Sequence, residues 1–151
     1  MKFIVPSFVL ALVTATAQQP PDKPAVGVGK TYQDALIKAE KPYIEKGRAT
    51  YPAAKKRFLV GLPQGYAFQV RKRLNNAGST DFEEVFVHVD AINDGVVRGR
   101  ILNKPEVVLS FHQGQQISFP ESEVPDWTIV HPDGREEGNY VGRFIDTYKP
   151  Q

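Results

Sequence analysis

The sequence predicts an α+β domain, with one or two N-terminal helices packed on a curved antiparallel β-sheet. Three observations carry that reading. Apolar residues between Thr31 and Leu62 recur at helical spacing, the period falls to two from Tyr66 onward, and the later segments are joined by short turns rich in Asp and Gly. Helices first and strands afterwards place the helices together on one side of the sheet. Strands this short, joined by hairpins, leave open whether the sheet curls into a partly closed barrel.

The helical part begins where Thr31 or Asp34 can cap a first turn. Ala35, Leu36 and Ala39 then share a face, with Ile44 about a turn beyond. Pro42 either kinks this segment or starts a new one, because proline suits a first turn and not an interior. Gly47 marks a break, and a second helix runs through Ala53 to about Val60, stopped by Gly61 and Pro63.

In the strand region, Tyr66, Phe68 and Val70 alternate with Ala67, Gln69 and Arg71, and Asn75 to Gly78 forms a loop. Phe82 to Ala91 has the cleanest alternation: Val85, Val87, Val89 and Ala91 line one face, Glu84, His88 and Asp90 the other. That pattern predicts a dry inner side and a wet outer side. Asn93-Asp94-Gly95 is a tight hairpin turn leading into a partner strand, Val96 to Leu102, which Asn103-Lys104-Pro105 ends. Val107 to Phe111 is a short apolar run, Ile117 and Phe119 alternate in another strand, and Asp126 to Val130 forms a further one. His131-Pro132-Asp133-Gly134 turns the chain, and Tyr140 to Ile145 closes the domain.

The ends of the chain carry a separate signal. Met1-Lys2, the uncharged apolar run Phe3 to Val13 and the small residues Ala15-Thr16-Ala17 predict a secretory signal at 1–17, cut after Ala17. Gln18 to Lys30, rich in Pro, Gly and Gln, reads as a flexible leader, and 31–151 as a single domain. The product is expected in the periplasm or outside the cell, with no transmembrane span, since the apolar run is shorter than the roughly 20 residues a span requires.

Composition narrows the chemistry. At 151 residues, 41% hydrophobic and 24% charged, the chain has the make-up of one globular domain. Removing Lys2 from the 19 basic side chains leaves 18 against 17 acidic ones, a near-neutral balance that argues against a nucleic-acid binder. The absence of cysteine excludes disulfides, thiol nucleophiles and zinc–thiolate sites.

The run from about Phe58 to Phe144 contains Phe82-Glu83-Glu84-Val85-Phe86-Val87, then Asp94-Gly95, Gly99 and Asn103-Lys104-Pro105. Gly114 with Ile117, Val124-Pro125-Asp126-Trp127, and Gly138-Asn139-Tyr140 with Arg143 follow. In these spaced elements the chain resembles the DUF2314 family of bacterial proteins of unknown function. The resemblance implies fold and domain extent and no reaction. It also implies an acidic–His pair followed by Trp in the central strand, where this chain has Glu83-Glu84 and Phe86.

Candidate sites are few. His88 and Asp90, two apart on one strand with Glu84 on the same face, have the residue types and spacing for a divalent metal, but no third ligand is marked nearby, and no metal is predicted. The same three residues would form the site of a small enzyme, if there is one. Asp126-Trp127 pairs a carboxylate with an amphipathic ring, as ligand pockets do, and Tyr140 with Arg143 would flank it; in the alternative, Trp127 anchors the core, Asp126 binds turn amides and Arg143 pairs with Glu83 or Asp126. Two basic clusters, Lys55-Lys56-Arg57 and Arg71-Lys72-Arg73, with Arg98 and Arg100, would attract a polyanion if gathered on one face. No Gly-x-Ser-x-Gly and no phosphate-cradling glycine loop is present, so neither a catalytic residue nor a cofactor is predicted. The favoured reading is a noncatalytic exported binding module whose partner is a protein or an envelope component.

Overall fold

The computed structural model describes residues 25–27 and 29–149. The segment predicted as a secretory signal lies outside them, as does most of the predicted leader. One part of that leader is ordered: Ala25–Gly27 forms β1, paired with a later strand.

The helical region is one helix, α1, Lys30–Val60, 31 residues and about 46 Å long. Pro42 and Pro52 both lie inside it. Its buried residues are Gln33, Leu36, Glu40, Gly47, Tyr51 and Ala54, a seam on which two polar side chains replace apolar ones. That substitution hides the length of the helix from a hydrophobic pattern. Gly61, at φ 110°, ends it by donating its N–H to the carbonyls of Arg57 and Phe58.

The strands are β2 (Ala67–Asn75), β3 (Phe82–Asn93), β4 (Val96–Ile101), β5 (Gln116–Pro120), β6 (Trp127–Val130) and β7 (Glu136–Gly138), with α2 (Tyr140–Thr147) last. All neighbours are antiparallel in the order β5-β4-β3-β2-β6-β7, and β1 pairs with the start of β3. The sheet is α+β as predicted and is not closed into a barrel. Asp94 and Gly95, at φ 50° and 74°, make the hairpin turn between β3 and β4. Tyr140 onward, which the sequence left without an assigned element, is helical.

β2 gives its first edge to β3 over Gln69–Asn75 and its second to β6 only over Ala67–Val70; Arg71 then donates its N–H to the Asp126 carbonyl. On one face of the sheet Phe68, Val70, Leu74, Val85, Val87, Val97, Phe119, Trp127 and Ile129 form the core with Tyr51 and Ala54 of α1. The opposite face carries Gln69, Arg71, Arg73, Glu84 and Phe86, and these too are largely buried. The expected wet side is therefore dry over the first half of β3.

The long helix explains why. Phe68 stacks on Tyr51 and Phe58 of α1, whereas Arg73, an odd number of residues along the same strand and so on the other face, pairs with Glu40 of α1. The two halves of α1 thus cover opposite faces, rather than both lying on one side. Gly47 sits where the helix passes the sheet: a Cβ there would lie 2.7 Å from the Asp126 carboxylate and from the Pro125 carbonyl. It is a contact point and not a break.

Candidate functional site

Buried carboxylates hold the fold around the predicted site residues. Glu83 lies on β3, with its carboxylate accepting N–H bonds from Glu106, Val107 and Val108 at 2.9–3.2 Å. Asn103 accepts the N–H of Phe86 at 2.7 Å, filling the edge of β3 between its pairings with β1 and β4. Asp126 accepts the N–H of Trp127 at 2.9 Å and that of Val141, in the first turn of α2, at 2.7 Å. Burial pushes its carboxyl up to about 6, against the lowering effect of those two amides.

Trp127 faces the core, its indole N–H donating to the Thr50 hydroxyl at 2.9 Å and its ring edge-on to Tyr140. Tyr140 is half-buried beneath the Lys46 ammonium. Arg143 is exposed and donates to the Glu136 carbonyl, not to Glu83 or Asp126. These four residues are neighbours, but Asp126 and Trp127 are turned inward.

Glu84 sits apart from His88 and Asp90. It is fully buried, accepting from Arg73 at 2.6 and 3.0 Å and from Arg71 at 3.3 Å. Arg73 also donates to Glu40, whose carboxyl burial, reinforced by the Glu84 charge, pushes up to about 7. The guanidiniums lie over aromatic rings, Arg71 on Phe86 at 4.6 Å and Arg73 on Phe82 at 3.9 Å. Two Arg71 donors, Nε and Nη2, have no hydrogen-bond partner among the described residues. Nothing in the sequence marked Glu40 or the arginines as core, because the pattern of a strand does not say which helix covers it.

Farther along the same face the sheet opens. A β-bulge between Val89 and Ala91 carries Asp90, which accepts from Arg100 at 2.9 Å and lies 3.9 Å from His88. Burial lowers the His88 pKa, as does Arg100, while Asp90 opposes them, so the imidazole is neutral at pH 7. Arg98 and Arg100 pair across the strands with Ser118 and Gln116. A cavity of about 280 Å³ is lined by Asp90, Arg98, Gln116 and Ser118 among others, and one of about 190 Å³ by His88, Arg100 and Gln113. Arg98 makes no ion pair among the described residues, and no three metal-ligating side chains gather there.

The basic clusters do not converge. Lys55 pairs with Glu121 at 2.7 Å, Arg57 with Glu137 at 2.6 Å and Lys72 with Glu123, while Arg71 and Arg73 face Glu84.

A family model described as an uncharacterized protein conserved in bacteria, DUF2314, matches residues 30–147. The chain belongs to the DUF2314 family. The match takes in the whole of α1 and every element after it, leaving out β1, a wider extent than the 58–144 stretch over which the sequence elements resemble it. No curated protein and no solved structure matches. The elements that carry the DUF2314 resemblance are mostly architectural here: Glu83 and Asn103 fix the loop after β4, Asp94-Gly95 turns the hairpin, and Asp126 ties β6 to α2. Gly138 lies so close to Trp127 that a Cβ would meet the ring at 2.8 Å.

Proposed function

We propose that this DUF2314 domain is a noncatalytic, exported binding module, and that it takes a carboxylate-bearing ligand on the open half of its sheet. The observation that carries the reading is Arg98: an exposed guanidinium with no ion pair among the described residues, at the rim of a cavity that also offers the Gln116 amide and the Ser118 hydroxyl. A planar guanidinium matches a carboxylate with two parallel hydrogen bonds, and neutral donors beside it add specificity without competing charge. Asp90, being occupied by Arg100, keeps the second arginine in place. The enzyme reading loses its support in this geometry, because Glu84 lines neither cavity and is bound to two arginines. The polyanion reading is weakened, because Lys55, Arg57, Arg71, Lys72 and Arg73 each pair with an acid. Export rests on the signature of residues 1–17.

Titrating ¹⁵N-labelled protein with succinate at low ionic strength tests the binding part. Saturable shifts at Gly99, Gln116 and Ser118 are expected, weakened at least tenfold by Arg98→Ala. A response that Arg98→Ala leaves untouched, or none at all, rejects it. The mass of the product recovered from outside the cytoplasm tests cleavage after Ala17.

A further inference from the structure

A third cavity, of about 350 Å³, adjoins the one beside Arg98, sharing Ile117 and Ser118 with it. It is lined by four consecutive residues of β2, Lys72 to Asn75, by three of β5, Ile117 to Phe119, and by Phe111. Side chains on a strand alternate between faces, so a cavity that touches consecutive residues of two strands meets both along their edges. Among the described residues both edges are free. β6 leaves β2 after Val70, and β5 ends the sheet.

The hydrogen-bonding phase of each strand is fixed by its other partners. Arg71 directs its N–H to Asp126 on the outer side of β2, so Arg73, two residues on, also directs its N–H and C=O outward. On β5, the Gln115 carbonyl accepts from Ile101 and the Glu121 N–H donates to Gly95, so odd-numbered residues bond to β4 and Ser118 presents its N–H and C=O outward. Arg73 and Ser118 thus offer backbone groups with no partner among the described residues to the same space. Leu74, Phe111, Ile117 and Phe119 add apolar walls on the core side, and the Lys72 ammonium sits 5.5 Å from the Phe119 ring.

We infer that this slot receives an extended peptide segment of a partner protein, inserted as a strand between β5 and β2. Two facing edges complement a backbone that can hydrogen-bond on both sides, which a small molecule or a helix does not supply. The walls require an apolar side chain at every second position of that segment, facing the core, while the intervening residues face water. The volume falls in the range of ligand clefts. Insertion would join β5 to β2 and close the curl that the sheet leaves open. The slot adjoins the Arg98 surface, with Ile117 and Ser118 lining both cavities, but it uses the strand edges and does not depend on Arg98.

The test uses a fluorescein-labelled peptide of alternating threonine and valine, seven residues long, followed by anisotropy. The expected result is saturable binding that falls at least tenfold when the threonine amides are N-methylated, since methylation removes the donors to one edge. Ser118→Pro should produce a loss of the same size, because proline removes only an outward N–H at that edge position. If Ser118→Pro fails to fold, the methylated peptide decides the matter alone. Absence of saturable binding, equal binding of the methylated peptide, or a dimer of the protein that the peptide does not dissociate would each overturn the proposal, the last by assigning the slot to a second copy.

Discussion

The Asp126 carboxylate lies 2.7 Å from the backbone nitrogen of Val141, tying the start of β6 to the first turn of α2. Because burial outweighs the two amides, the carboxyl is raised from its usual value near 3.8 to about 6, and the fold favours the protonated form. A raised carboxyl contributes stability that is complete below its unfolded pKa and lost as pH rises through its folded one. The difference in thermal midpoint between wild type and Asp126→Asn should therefore favour the wild type most near pH 4 and decline through pH 6. The span is on the order of 2–3 kcal/mol. Calorimetry from pH 4 to pH 8 checks it, and a difference that stays flat would count against the burial argument.

The two carboxylates that meet Arg73 should respond in opposite ways. Glu40 is raised to about 7 by its burial and by the Glu84 charge, so its contribution is present below the ordinary glutamate range and fades as pH rises through neutrality. Glu40→Gln should consequently match the wild type near pH 9, or exceed it. Glu84→Gln removes the only carboxylate that reaches buried Arg71 among the described residues, and should cost about 3–5 kcal/mol at any pH from 6 to 9. Urea unfolding of both variants at pH 6 and pH 9 separates them; equal losses would mean that the cluster acts as one undivided unit.

Strands β2 to β6 were legible because each obeys a local rule, whereas β1, inside the predicted leader, and the three-residue β7 were not. Alternation in Phe82 to Ala91 and the Asp94-Gly95 turn need only neighbouring residues to be read, and the structure extends that strand by two residues, to Asn93. The helix was less so. Pro42, Gly47 and Pro52 suggest interruptions, and Gln33 and Glu40 break the apolar stripe, yet tertiary contacts keep α1 continuous. The burial of Arg71 and Glu84 was invisible for a related reason: strand periodicity assigns residues to a face but does not say what lies above it. Asp126 and Trp127 lie beside Tyr140, but their orientation into the core depends on Thr50 and Val141, which are remote in sequence. His88 and Asp90 are near each other as the spacing implied, and the bulge at Asp90 that turns it toward Arg100 had no signal of its own.

Gly47 gives the sharpest test of how α1 passes the sheet. In an exposed helix interior, replacing glycine by alanine stabilises by about 0.5–1 kcal/mol, and the reverse change at exposed Ala49 should cost about that much. At Gly47 the added methyl would lie 2.7 Å from Asp126 Oδ1 and 2.7 Å from the Pro125 carbonyl oxygen, and the latter belongs to a backbone held by the pairing of Arg71 with Asp126. Neither atom can swing away as the end of a flexible side chain would. Overpacking of this kind costs about 1–3 kcal/mol, which exceeds the gain in helix propensity, so Gly47→Ala should be destabilising despite its position in a helix. Urea midpoints for Gly47→Ala, for Ala49→Gly and for the wild type decide it: a stabilised Gly47→Ala would mean that the helix does not press on Asp126 and that its two halves need not divide between the two faces.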